Sequence, residues 1–207
     1  MHFTRAHIDS LEHLYKINFV NSLSGYKSAN LIATKSKEKI SNVAVFSSVV
    51  HYGSNPPILG FLLRPTTVKR NTYDNIKQTL FYTINHITSS ITEDAHHTSA
   101  KYASEISEFD KTELSEEYKN GFYAPFVKQS SVQIAMKFLE EYHIKSNGTI
   151  LVLGEIIDVY IDDHLVKEDG FVNLTDAKTM AINGLDTYVL PTKKNDYHIK
   201  GLNNLNI

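Results

Sequence analysis

Cysteine is absent from the 207 residues. That excludes disulfides, thiolate metal sites, Fe–S clusters and a cysteine nucleophile. Proline (5) and glycine (9) are scarce and scattered as punctuation, so no Pro/Gly-rich linker divides the chain. With no internal repeat and no low-complexity tract, residues 1–207 read as a single domain. Neither sign of charge is in excess: Lys plus Arg total 21 and Asp plus Glu 23, for a net charge of −2. A domain that grips phosphate backbones carries a clear basic surplus, so no nucleic acid is expected as a partner. No window approaches the roughly eighteen apolar residues of a membrane span. The opening MHFTRAHIDSLEHLYKI places charges and histidines where an export signal needs an apolar core. Without such a signal the sequons at Asn147 and Asn173 carry no weight. The expectation is a soluble, cytoplasmic protein with no membrane partner. Hydrophobic residues make up 42% of the chain and charged ones 21%, which argues for a packed core and against disorder.

Punctuation and periodicity divide the chain into elements. Asp9 to Lys16 reads as a short helix (about 9–17), capped by Asp9 with Glu12 at the third position. Ala29 to Thr34 and Asn42 to Val50 are β-rich runs around the polar turn KSKEKIS. Ile58 to Leu63 follows a Pro56-Pro57 stop, and Leu80 to Asn85 alternates bulky and polar residues. Between these two runs, Thr72 to Gln78 is long enough for about two helical turns. Asp94 to Asn120 loses period 2 and reads as a helix-and-loop excursion. Val132, Ile134, Met136 and Phe138 alternate with Gln133, Ala135 and Lys137, so Val132 to Tyr142 reads as a strand, although Leu139 breaks the alternation. Thr149 to Ile161 is the strongest β segment, with Gly154 as a bulge candidate. A last short helix is expected around Thr175 to Ile182, and the tail from about 192 is expected to be poorly ordered. Six or so strands with short connections predict a mainly β fold, an antiparallel barrel whose closure removes exposed edges. The crossovers of ten or more residues that a parallel sheet needs are missing.

The chemistry concentrates in two stretches. Arg64-Pro65-Thr66-Thr67-Val68-Lys69-Arg70-Asn71-Thr72 puts three cations and three threonines between a strand and a helix. With Asn71 or Thr72 as N-cap, the helix N-terminus adds free N–H groups and a partial positive charge, a receptacle for a phosphate monoester. A solvated turn whose cations face water is the alternative. In the strand Asn42 to Val50, one face carries Val43, Val45, Ser47 and Val49 and reads as core. The other carries Asn42, Ala44, Phe46, Ser48 and Val50, a mix of amide, small, aromatic and hydroxyl groups that suits a flat ligand. An ordinary half-buried strand explains it as well. Ten histidines form no H-E-x-x-H or other tight ligand pattern, so no metal is expected. G-x-S-x-G and G-x-G-x-x-G are both missing. Glu140-Glu141 and Asp162-Asp163 are adjacent pairs that face opposite ways in a strand, which is surface charge and not a glycosidase pair.

In order along the chain, five segments resemble the flavin reductase-like, FMN-binding split-barrel family in its longer, flavoredoxin-like branch. They are Asn42-Val43-Ala44-Val45-Phe46-Ser47-Ser48, with Val45 at a usual proline; Gly53 to Gly60 around Pro56-Pro57; Lys69 to Ile76, with Asn71 where Asp is common; Ser99-Ala100-Lys101-Tyr102 through Phe109; and Gly154-Glu155-Ile156. The resemblance runs from about Ser22 to Tyr188. It implies a six-stranded Greek-key barrel that forms a homodimer, with FMN near the subunit interface. Arg64, Lys69, Arg70, Asn71 and Thr72 would then hold the FMN phosphate, and Asn42, Ala44, Phe46, Ser47 and Ser48 would line the ribityl chain and isoalloxazine edge. It further implies an oxidoreductase in which NADH or NADPH reduces the flavin, with electrons passing on to an acceptor. His51 and Tyr102 are candidates for the substrate side, with a packed structural role as the alternative for each. Two other readings stay open: an FMN carrier of electrons or flavin store without direct NAD(P)H turnover, and a split-barrel binding module that is not an enzyme.

Overall fold

The computed structural model describes residues 1–103 and 105–195. Two helices open the chain, α1 (Arg5–Ser10) and α2 (His13–Leu23). They replace the single helix expected over about 9–17. Thr4 caps α1 through its hydroxyl, and Glu12 caps α2 by accepting from the N–H groups of Leu14 and Tyr15. Asp9 caps neither helix, because Arg5 one turn earlier takes its carboxylate at 2.8 Å. Then come β1 (Lys27–Ser28), β2 (Asn30–Lys35), β3 (Ser41–Phe46), β4 (Val50–Ser54) and β5 (Pro57–Leu63). The run expected as one strand from Asn42 to Val50 is therefore two. It breaks at Ser47–Val49, where the Ser48 hydroxyl leaves the ladder to bond both the N–H and the C=O of Leu62. Pro56 sits in the β4–β5 hairpin behind a cis peptide bond, and Pro57 opens β5.

After α3 (Asn71–Thr79) come β6 (Phe81–His86) and α4 (Thr92–His97). A 3-10 turn over Glu108–Lys111 and the short pair β7 (Glu116–Glu117) and β8 (Phe126–Val127) follow. The two longest strands, β9 (Val132–Ile144) and β10 (Thr149–Ile161), form one hairpin. Its register skips Leu139 opposite Gly154, so the residue that breaks the alternation and the glycine read as a bulge mark one irregularity from its two sides. The helix expected around Thr175 to Ile182 does not form. The chain turns there, with Thr179 bridged to Thr88, and enters β11 (Ala181–Asn183), which pairs with β12 (Thr187–Val189) and β1. Lys178 holds a positive φ of 52° at that point, which a helix interior excludes. The tail expected to be poorly ordered from about 192 lies outside the described residues beyond Asn195.

Seven strands, one more than expected, form an antiparallel sheet in the order β3-β2-β6-β9-β10-β5-β4. Its first and last strands are neighbours in sequence. Laid flat, seven strands would separate them by about 29 Å at ~4.8 Å per gap. The four steps from Phe46 to Val50 span at most about 14 Å. The sheet must therefore curl into a barrel with a seam between β3 and β4.

Inside it, Ile32, Phe61, Ile76, Tyr82, Ile84, Ile134, Met136, Ile150 and Val152 pack into one core, with Phe46 stacked edge-on against Phe61 at 5.1 Å. A second core lies outside β2 and β3, where Leu31, Ala33 and Val43 meet Ile87, Ala95, Phe109 and Leu114 from the excursion that follows β6. β3 is thus packed on both faces, buried from Ser41 to Val43 and half-buried from Ala44 to Phe46.

Candidate functional site

The register Thr34–Asn42, Ile32–Ala44 and Asn30–Phe46 turns Asn42, Ala44 and Phe46 toward the barrel interior, while Val43 and Val45 point into the outer core. Phe46 therefore gives its ring to the barrel core, and Ala44 is the small residue beside it. Asn42 sits at the end of the seam strand, buried, and donates to the Thr72 hydroxyl at 3.0 Å. That bond ties β3 to the first turn of α3. Beside it, Asn75 donates to Thr34 at 3.0 Å. The free edge of β3 is closed by Glu108, whose buried carboxylate accepts the Val43 N–H at 3.1 Å. Burial pushes the Glu108 pKa up, against the pull of its backbone bonds.

The N-cap of α3 is Arg70, in an extended conformation and with no side-chain cap, so Asn71 and Thr72 are the first helical residues and not caps. Two consequences follow. The opening N–H groups of the helix carry no side-chain acceptor and keep their affinity for an anion. Arg70 itself, half-buried, has a buried Nε without a protein partner, the sort of orphan that a bound oxyanion satisfies. Arg64 and Lys69 stay exposed on either side. This donor set fits a phosphate group.

A cleft of about 250 Å³ opens between the 36–40 turn, α3 and residues 105–106. Asn42, Lys69 and Asn71 line it together with Ser36, Glu38, Ile40, Asp74, Asn75, Gln78, Glu105 and Ile106. One cation faces three carboxylates there, so the depth of the cleft repels a phosphate dianion and the Arg70 rim is the better place for it. Glu38 is held below the usual carboxylate range by its own backbone N–H and the Ser36 hydroxyl.

Ser47 and Ser48 lie in the seam crossing, apart from the cleft lining, with Ser48 engaged on the backbone of Leu62, two residues before Arg64. His51 is exposed on β4 and meets Ser54 at 3.2 Å. Tyr102 meets His97 at 2.7 Å in the excursion. Neither lines the cleft. Among the described residues, no group of three or more His, Asp or Glu could hold a metal ion. The helix face Asn71, Asp74, Asn75 and Gln78 was not singled out from the sequence, although its polar i, i+3, i+4, i+7 spacing is a signal that could have found it. Glu108 had no local signal, since its partner is 65 residues away.

A family model described as "Flavin reductase like domain" matches residues 23–179. A split-barrel protein of Shewanella frigidimarina NCIMB 400 that carries a flavin reductase assignment is 47% identical, with a TM-score of 0.93 over 96% of this chain and 99% of that one. Flavoredoxin of Desulfovibrio vulgaris (Miyazaki F) has a TM-score of 0.73 at 18% identity, over 86% of this chain and 93% of its own. An FMN-binding protein of Thermus thermophilus has a TM-score of 0.68 at 14% identity, over 84% and 90%. The last two likenesses show the fold alone. No helix among the described residues is long and apolar enough to cross a membrane. The seam, the uncapped helix and the match over most of the length converge, and this chain belongs to the flavin reductase-like domain family.

Proposed function

We propose that the protein binds FMN and works as an NAD(P)H-dependent oxidoreductase of flavin reductase type. The observation that carries this reading is the start of α3, which has no side-chain cap and whose N-cap residue, Arg70, next to Lys69, has a buried, unpartnered Nε. In the proposed site, Arg64, Lys69, Arg70, Asn71 and Thr72 hold the phosphate. Asn42, Ala44, Ser47, Ser48 and the backbone beside Phe46 line the ribityl chain and the ring edge. The flavin, when bound, supplies the hydride chemistry. The residues of the chain bind it, orient it and shape the dielectric around it. Asn42 holds Thr72 in place, and Glu108 holds the seam strand at Val43. The protein is proposed to act in the cytoplasm as a homodimer. Small molecules, a nicotinamide and an electron acceptor, are its proposed substrates.

The test is the visible spectrum of the purified protein, before and after anaerobic addition of NADH or NADPH. Flavin bands that bleach are expected. Bands that persist unbleached would favour an electron carrier, and a colourless protein that takes up no added FMN would overturn the flavin reading.

A further inference from the structure

Helix α2 has the composition of a buried helix and lies on the outside of its own chain. Leu14, Tyr15, Ile17, Phe19, Val20 and Leu23 are spread round it. At 3.6 residues per turn they leave no gap wider than about 100°, so the helix has no broad polar stripe to give to water. A helix that is apolar all round belongs in a core. Yet no residue of α1 or α2 is buried, and Leu14 and Leu23 are each 66% exposed. The ring contacts of Phe19, to Phe3 at 4.7 Å and to Tyr15 at 6.2 Å, stay within the arm. A free helix shorter than about 12 residues is marginal in water, so α2 needs a surface beyond its own chain.

The base of the arm is fixed. The Lys27 ammonium donates to the Asn21 carbonyl at 3.0 Å, in the last turn of α2, and to the Gly184 carbonyl at 2.8 Å, in the β11–β12 turn. Next to it, the Ser28 hydroxyl donates to the Val49 carbonyl at 3.0 Å, which brings the exit of the arm beside the start of β4. There an exposed face of β4, β5, β10 and β9 begins with Val50. Tyr52 and Leu153 close over Gly60, leaving no room for a Cβ, and Leu62 and Tyr142 extend the face. Three strand gaps of ~4.8 Å make it about 14 Å wide. At ~1.5 Å per residue, α2 is about 16 Å long, enough to cross it.

Area argues for a second copy as the occupant. An obligate homodimer takes about 1,000 Å² or more from each partner, roughly 65% of it apolar, or about 650 Å². Val50, Tyr52, Leu62 and Tyr142, all half-exposed, offer roughly 400 Å² at about 100 Å² apiece. Leu14, Tyr15, Val20, Leu23 and Tyr26 add roughly 500 Å² by the same measure. Neither surface suffices alone, and the two together do.

We propose that α1 and α2 form a clasp that lies on a second copy of this chain, each arm crossing the β4-β5-β10-β9 face of the other protomer about a two-fold axis. The proposal rests on the homodimer reading. It adds an arm that lies, but for Leu23, ahead of the family domain.

The test compares the full chain with two double variants. Leu14→Gln with Leu23→Gln removes apolar groups from opposite sides of α2 and keeps its helix propensity. Val50→Glu with Leu62→Glu breaks the sheet face. In sedimentation equilibrium the arm variant is expected to dimerise about ten- to a hundredfold more weakly, the loss of one buried leucine side chain or two. Backbone hydrogen exchange is the second readout. The α2 amides are expected to be protected in the wild-type dimer. In the monomeric face variant they should exchange as in an open chain, while β9 and β10 keep their protection. A wild-type dimer that the arm variant leaves unweakened overturns the clasp and leaves the homodimer standing. So do α2 amides equally protected in dimer and monomer, and a face variant that stays dimeric. A monomeric wild-type chain overturns both.

Discussion

The barrel core contains a polar atom with nothing to bond. Tyr82 is fully buried and its hydroxyl has no partner, so burial alone pushes its pKa far above the ordinary phenol value. The hydroxyl sits where the side chain of residue 154 would be. A Cβ on Gly154 would collide with it and stand 3.0 Å from the Lys137 carbonyl oxygen. Tyr82→Phe is therefore expected to leave stability unchanged or raise it by about 1 kcal/mol, because an unmet desolvation disappears with the oxygen. Gly154→Ala is expected to lose about 1–3 kcal/mol through overpacking. The double variant should recover part of that loss, and urea unfolding of the three proteins measures the coupling. Strict additivity would mean that the hydroxyl is not what the glycine accommodates.

His86 presents a second buried group. Its Nδ1 lacks a partner, and burial lowers its pKa from 6.5 to about 4. Above pH 6.5 the ring is neutral whether the chain is folded or not. As pH falls toward 4, the unfolded chain takes a proton that the folded one refuses, so stability is lost across that window. His86→Phe should flatten the pH dependence of the urea midpoint between 6.5 and 4. An unaltered slope there would show that other groups carry it.

At the scale of elements, what could be read in advance depended on whether the signal was local. Alternation from Val132 to Phe138 placed β9, and the anomalies at Leu139 and Gly154 turned out to be one bulge seen from its two strands. The failures have equally physical causes. Asp9 has the chemistry of a cap, but Arg5 sits one turn away and takes its carboxylate, while Thr4 and Glu12 do the capping. The apolar run through Val50 looked continuous because the break at Ser47–Val49 is set by a bond from Ser48 to a residue 14 positions on. Residues 175–182 had helix texture, but pairing with β1 and β12 captured the end of the segment. For the candidate site, the cationic turn was legible from composition. The bond from Asn42 to Thr72 and the Glu108 latch depend on tertiary contacts, so no local pattern announced them.

The start of α3 yields its own prediction. Lys69→Ala and Arg70→Ala should each weaken FMN binding by about 1–3 kcal/mol. The Lys69 share should shrink at high salt because that side chain is exposed, and the Arg70 share should persist because its Nε is buried. Unchanged affinity in both variants would remove the phosphate from this turn.

Over the whole molecule, one face of the barrel stands out. The register aligns Leu62, Leu151 and Tyr142 in a row across β5, β10 and β9, and Val50, Gly60 and Leu153 in the next, with Glu140 at its β9 end accepting from the Tyr142 hydroxyl. Leu62, Val50, Tyr142 and the neighbouring Tyr52 are between 44% and 56% exposed. An exposed, largely apolar sheet face of this kind suits an interface. A homodimer through this face is the proposed arrangement. Val50→Glu combined with Leu62→Glu should then yield a monomer in sedimentation equilibrium with the far-UV circular dichroism unchanged. A dimer that survives both substitutions would place the interface elsewhere.

The seam between β3 and β4 also bears on the order of assembly. Every residue proposed to hold the cofactor lies between Asn42 and Thr72, so these groups meet by closing short loops, whose entropic penalty grows only slowly with length. The pairing of β6 with β9, by contrast, joins Phe81 to Lys137 across 56 residues. A chain emerging from the ribosome therefore holds its whole ligand-binding stretch long before the far wall of the barrel exists. The far strands act as a late-arriving brace. Damage to them would reach the pocket through the time it takes to become rigid, without touching any atom that contacts the ligand.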